Sequence, residues 1–320
     1  MSCYKHLSIE ERECILFMRA AGKNISEIGS ALCRSASTIS RELQRNGNPR
    51  KPYSALDAQK RYWKRRRRCR RISRLSIQEV QEKVRELLEK YWAPEQISNR
   101  LRLEASPIQI SASTIYRGIR EGRIQKEVKQ KLRTKPYHKP KGSRTGRLPS
   151  TKSIAERPVE ANLRLAMGHW ESDTVVGSGN SGCIATHVDR KSRYLISAKI
   201  PNRSTQAYMD ATIQVFAGIQ KDLRKTFTTD HGKEFAGHRM LTEALGADIY
   251  FADPGKPGQR GTNENTNGLL RQFFPKRTSF QNVTQAEVDR ACILLNTRPR
   301  KCLGWLTPLE VFSSIILHLT

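Results

Sequence analysis

The sequence is short of acidic residues and of long apolar runs. Thirty Asp and Glu stand against 58 Lys and Arg among 320 residues, a formal net charge of +28, which makes a polyanion the partner to look for. No apolar stretch approaches the roughly 18 to 20 residues that span a bilayer. The opening "MSCYKHLSIEERECILF" lacks the charged and apolar regions of a signal peptide. These absences predict no membrane partner and a cytoplasmic location. The seven cysteines are odd in number and scattered, with no C-x-x-C or Cys/His ligand spacing, which argues against a disulfide framework or a zinc site.

The positive charge is uneven. Residues 1–150 carry 36 basic and 14 acidic side chains, residues 151–320 only 22 and 16, so the first half is the expected grip on a polyanion. Within it, residues 8–46 read as a trihelical DNA-binding unit. Ser8 with Glu11 forms a capping-box pattern, and an apolar helical face of Ile9, Ile15, Leu16 and Met18 stops at Gly22. A helix over 26–32, a tight turn at Cys33 and Arg34, and a helix over 35–45 follow. Ile28, Leu32, Ile39 and Leu43 would then point inward, with Ser37, Thr38, Arg41 and Arg45 along an outward stripe. This is helix-turn-helix spacing, with hydroxyls and Arg where a recognition helix meets bases and phosphates. The alternative is a small helical bundle with a solvated basic face.

"KRYWKRRRRCRRISR", residues 60–74, is expected to track backbone phosphates through Arg65, Arg66, Arg67 and Arg68. A second helix-turn-helix is expected in "APEQISNRLRLE" and "ISASTIYRGIREG", with Thr114 and Arg117 outward; a plain helical hairpin is its alternative. Residues 134–153 are rich in Pro, Gly, Ser and Lys and read as a linker or DNA-tracking arm. The expected domains are therefore 1–58 (helix-turn-helix), 59–133 (basic segment and second helix-turn-helix), 134–153 (linker) and 154–320 (catalytic).

After residue 153 the hydrophobic period shortens. Three strands, a helix, a strand, a helix, a strand and a helix follow in an order compatible with a ribonuclease-H-like α/β domain. In that order Asp173 falls in the first strand, Asp230 at the carboxyl end of the fourth, and Glu264 in the first turn of the helix after the fifth. Ligands collect at the carboxyl ends of strands in open α/β sheets, so the three could converge. Carboxylates that share a cavity need cations between them, and oxygen ligation suits Mg²⁺ or Mn²⁺, two of which can serve an in-line displacement at phosphorus. Glu171 remains an alternative to Asp173, while Asp230 and Glu264 could be a turn acid and a plain helix-start acid. Arg271 lies seven residues after Glu264, two helical turns on, where it could hold a substrate phosphate.

The strings "GHWESDTVVG", "TTDHGKEFAGH", "YFADPGKPGQRGTNENTNGLLRQFFPK" and "LNTRPRKCLGWLTPLEVF" resemble the catalytic domain of the insertion-sequence-thirty family of bacterial transposases. Residues 7–47 and the "APEQISNRL" and "STIYRGI" strings resemble that family's tandem DNA-binding helices, so the likeness covers nearly the whole chain. His231, Gly255 and Gly258 depart from the family's pattern. The resemblance implies a ribonuclease-H-like integrase core behind all-α helix-turn-helix units, and a DDE triad at Asp173, Asp230 and Glu264 with Arg271 after it. It also implies a divalent metal and movement of an element bounded by terminal inverted repeats. The partners would be double-stranded DNA, as element ends and target, and further copies of the chain in a synaptic complex, within a bacterial, nucleoid-associated setting. A transcriptional regulator, a plain nuclease and a relic that keeps the fold without the chemistry stay open as alternative readings.

Overall fold

The structure is a computed structural model that describes residues 5–47, 51–69, 72–124 and 148–319. It divides into two compact units, Met1–Ser73 and Arg74–Thr320.

In the first unit α1 (Ile9–Ala20), α2 (Ile25–Ala31), α3 (Ala36–Asn46) and α4 (Ala55–Arg68) are each started by a polar side chain. Ser8 and Glu11 close the expected capping box, with Glu11 N donating to Ser8 Oγ at 3.2 Å and Ser8 N to Glu11 Oε2 at 2.7 Å. Asn24 and Glu27 repeat it at α2. Leu7, Ile15, Ile28 and Ile39 form the core. Gly29 lets α2 approach the turn, because a Cβ there would lie 2.8 Å from the Arg34 carbonyl oxygen. Arg12 is also inside: 2% exposed, its Nε donates to Glu42 Oε1 at 2.7 Å, and its guanidinium lies 4.9 Å from the centre of the Tyr62 ring. One buried ion pair thus ties α1 to α3, with α4 stacked on it. The basic run therefore begins as a packed helix, and the boundary expected between residues 58 and 59 falls inside α4.

The second unit opens with α5 (Gln78–Glu89), α6 (Pro94–Leu103) and α7 (Ala112–Arg120) around Val84, Leu88, Ile97, Leu101 and Ile115. The α7 start copies that of α3. Ser35 Oγ lies 3.0 Å from Ser37 Oγ and 2.9 Å from Thr38 Oγ1, and Ser111 Oγ lies at the same distances from Ser113 Oγ and Thr114 Oγ1.

Behind these helices stands a six-stranded sheet of order β1-β6-β5-β2-β3-β4. Its elements, in chain order, are β1 (Lys152–Ser153), α8 (Val159–Leu163), β2 (His169–Val176), β3 (Cys183–Asp189), β4 (Leu195–Ile200), α9 (Thr205–Phe216), β5 (Thr226–Thr229), α10 (His238–Leu245), β6 (Asp248–Phe251), α11 (Gly261–Leu270), α12 (Gln285–Asn296) and α13 (Pro308–Leu319). Strands β2 to β4 are antiparallel neighbours, and β5, β6 and β1 continue the sheet in parallel from β2. One face packs Trp170, Phe227 and Phe251 with Phe216 of α9 and Leu241 of α10. The other packs Val175 and Ile184 with Leu270 of α11, Phe280, and Val288 of α12. Every strand and helix expected between residues 169 and 270 is present. Strand β1 was expected as linker: Lys152 and Ser153 pair with Tyr250 and Phe251, and residues 134–147 of that stretch lie outside the described residues. Helices α12 and α13 were not anticipated; α12 packs on the second face of the sheet, and Phe312 of α13 joins Trp170 in the first-face cluster.

Candidate active site

The parallel register of β2 and β5 sets the acids side by side. Glu171 pairs with Thr228, so two residues further along, on the same face of the sheet, Asp173 comes level with Asp230 just beyond the end of β5. Asp173 accepts from Thr174 N at 2.8 Å and from Asn267 Nδ2 at 3.2 Å; Asp230 accepts from Gly232 N at 2.9 Å. Burial raises the Asp173 pKa, and the charges of Asp230 and Glu234 add to that, while Arg260 works in the opposite direction.

Arg260 is the feature that sequence reasoning missed. Its Nη2 donates to Asp230 Oδ2 at 2.8 Å and its Nη1 lies 3.6 Å from Asp173 Oδ1, so a guanidinium bridges the two carboxylates. The only signal for it in the sequence is its position four residues before Glu264, one helical turn. Glu234, a neighbouring acid outside the expected triad, stands close by. It is 1% exposed, its Oε1 accepts from Thr174 Oγ1 and Arg203 Nε at 2.8 Å each, and its Oε2 is buried without a hydrogen-bond partner among the described residues.

Glu171 is fully buried and already matched: Arg190 is ion-paired to it and Asn263 N donates to it at 2.9 Å. These contacts pin the start of α11 to β2. Glu264 stands exposed in the first turn of α11. Among the described residues no three His, Cys, Asp or Glu side chains lie close enough to hold a metal ion. Positions 260, 264, 267 and 271 nevertheless share one helical stripe, and Arg260 and Asn267, on either side of Glu264, both touch the aspartate pair. Arg271, at the far end of the stripe, donates its Nη2 to the Val176 carbonyl at 2.9 Å, which caps the end of β2. His231 has its Nδ1 accepting from Leu148 N at 3.2 Å and its ring stacked on Phe251. Gly255 adopts φ +78, a left-handed conformation suited to glycine, and a Cβ at Gly258 would meet open space.

In the first unit Thr38, Arg41 and Arg45 of α3 line a groove of about 500 Å³ with Arg65 and Arg66 of α4. Ser37, Arg41 and Arg45 are exposed as expected. Arg41 lies back along its helix, with Nη2 donating to Ser37 Oγ at 3.1 Å. Arg65 Nη1 donates to Asn46 Oδ1 at 3.2 Å, so it braces the end of α3, while Arg66, Arg67 and Arg68 are exposed. In the second unit Arg117 is exposed and Thr114 half-buried.

Comparison with known proteins identifies both regions. Residues 3–46 match the family model of a helix-turn-helix domain, and residues 164–257 that of an integrase core domain. The chain is 41% identical to the transposase InsI for insertion sequence element IS30A of Escherichia coli, over 96% of this chain and 83% of that protein. It is 35% identical to the transposase for insertion sequence element IS1086 of Cupriavidus metallidurans, over 99% and 97%. With the transposase for insertion sequence element IS4351 of Bacteroides fragilis the identity is 34%, over 98% and 97%. Among solved structures, the catalytic core domain of BIV integrase aligns with 48% of this chain and 100% of its own length, at 20% identity and a TM-score of 0.39.

Proposed function

Because the chain belongs to the insertion-sequence-thirty family of transposases, we propose that Asp173, Asp230 and Glu264 are its acidic triad and hold Mg²⁺ or Mn²⁺, two ions together. The protein is a DNA transposase, a polynucleotidyl transferase with a helix-turn-helix DNA-binding domain and an integrase core. The observation that carries the finer reading is Arg260. A cation already lies between Asp173 and Asp230, which marks the position where their combined negative charge is compensated. The donors there are oxygens only, the chemistry that hard divalent ions require. Glu264 occupies the stripe position between Arg260 and Asn267 and would complete the set. When bound, such ions supply Lewis-acid charge to the oxygens about a phosphorus undergoing in-line displacement.

The chain's own groups prepare that site. Asn263 buries its side chain against the Glu171 and Thr186 carbonyls, at 2.9 and 3.3 Å, and so fixes α11 on the sheet. Gly232 N and Thr174 N orient one oxygen of each aspartate and leave the others facing Arg260 and Asn267. The groove between α3 and α4 would take duplex DNA, with Arg41 toward base edges and Arg66 to Arg68 along phosphates. Thr114 and Arg117 of α7 would contact DNA likewise, and a shared N-cap geometry supports that reading. Two ends must meet for one element to move, so more than one copy would act in a synaptic complex.

The test is a labelled duplex carrying one element end, incubated with Mg²⁺ or Mn²⁺ and a plasmid target. Wild type should cleave at the end and join the freed 3′-hydroxyl to plasmid. Asp173→Asn, Asp230→Asn and Glu264→Gln should bind the duplex normally and lose both steps. Undiminished cleavage by Glu264→Gln would remove it from the triad, and cleavage without joining under every condition would indicate a nuclease.

A further inference from the structure

On the flank of α11 next to Glu264, three arginines gather around one pocket. Arg164, Arg193 and Arg300 line it together with Thr262, Asn265 and Cys302, and its volume is about 190 Å³. Arg193 Nη1 and Arg164 Nη2 both donate to Thr262 Oγ1, at 2.9 and 3.4 Å, so two guanidiniums converge on one neutral hydroxyl. No Asp or Glu is among the described residues that line the pocket. Glu171, the acid whose field reaches Arg164, is already held by Arg190. Burial and the like charges of Arg193 and Arg190 push the Arg164 guanidinium below its ordinary pKa.

The backbone gives an independent sign. Arg164 ends α8 with φ 61 and ψ 35, and Arg193, between β3 and β4, has φ 64. Both are left-handed conformations that glycine adopts without strain and a long side chain does not. Two separate turns thus keep Arg at a position of local strain, and the two side chains meet in the same pocket.

We propose that Arg164, Arg193 and Arg300 form an anion site that takes a backbone phosphodiester of duplex DNA running past α11. Planar guanidiniums suit the tetrahedral phosphate oxygens through paired N–H donors. The site lies one residue from Glu264, so a phosphate held there would fix how the strand passes the acidic pair. It does not depend on which carboxylates hold metal, and it is distinct from the helix-turn-helix grip.

Cys302, an exposed thiol on the pocket wall, is a built-in reporter. In the full chain, alkylation of Cys302 by iodoacetamide is followed residue by residue with mass spectrometry. Linear plasmid DNA is added at about ten times its dissociation constant, which should slow the reaction about tenfold. In the double variant Arg164→Gly/Arg193→Gly the protection should disappear while gel shift shows that the chain still holds DNA. Glycine relieves both left-handed positions and so offsets the hydrogen bonds lost at Thr262, and a melting temperature close to that of wild type separates loss of the site from loss of the fold. The single variant Arg164→Gly gives a second reading, with partial loss of protection. Equal protection of Cys302 in wild type and double variant would overturn the proposal. Protection by inorganic phosphate but not by DNA would also overturn it, because the pocket would then serve a small anion only.

Discussion

Replacing Arg260 by Ala should make the protein bind divalent ions more tightly. In the present arrangement an ion that reaches Asp173 and Asp230 must first displace a guanidinium bonded to Asp230 at 2.8 Å and 3.6 Å from Asp173. A hydrogen bond between charged groups contributes about 1.5–3 kcal/mol when well enclosed. The partners here are 16% and 35% exposed, so solvent screening lowers the figure toward about 1.4 kcal/mol, a factor of about ten in affinity. Titration of Mn²⁺ into the full-length chain, with unbound ion counted by electron paramagnetic resonance, should give a dissociation constant about tenfold lower for Arg260→Ala than for wild type. Arg260→Lys keeps the charge without the fork and should gain less. Asp230→Asn should weaken binding in either background. If Arg260→Ala leaves the constant unchanged or raises it while Asp230→Asn still weakens binding, the competition argument is refuted. If Asp230→Asn has no effect, the metal assignment itself fails.

Three further outcomes are expected. Neutralising Arg66, Arg67 and Arg68 should weaken binding to all DNA alike and flatten the salt dependence by about 0.9 in logarithmic slope for each phosphate left without its cation. Arg41→Ala should mainly relax preference for the element's end, and footprints on matched and scrambled duplexes would expose an equal loss in both. Glu42→Ala strands the buried Arg12 charge at a cost of about 3 kcal/mol, a large share of the roughly 4–10 kcal/mol available to a unit of this size. Hydrogen exchange of the Ile15 and Ile28 amides should then speed up by about a hundredfold, and unchanged exchange would deny Arg12 and Glu42 their anchoring role. Glu310 is held down to about 2 from 4.5, first by hydrogen bonds from Arg100. Its folded pKa is depressed, so its contribution is complete above pH 4.5 and is lost as pH falls toward 2. At 40% exposure that contribution is about 1 kcal/mol, and the melting-temperature gap between wild type and Glu310→Gln should close over that window; a constant gap would rule it out.

The sequence by itself determined what depends on neighbours a few residues apart. Ser8 with Glu11 and Ser35 with Thr38 close their caps within one helical turn, so those helix starts were legible before any tertiary contact was considered. Alternating apolar runs likewise marked β2 to β4, and the positions of Asp173 and Asp230 along their strands followed from where those runs end. That the two acids stand level is a matter of parallel register, and a register is set by packing across the crossover, which no local pattern records. Arg260 reaches Asp230 across 30 residues and Arg12 reaches Glu42 across 30, while Thr174 reaches Glu234 across 60. Each of these partners was one charged or polar residue among many in the sequence. Only the fold separates the surroundings of Glu171 and Asp173: the first is buried beside Arg190, the second stands beside Arg260. The Arg164 and Arg193 pair was hidden for the same reason. Their strain is local, but their meeting at Thr262 exists only once α8, the turn after β3 and α11 are packed together.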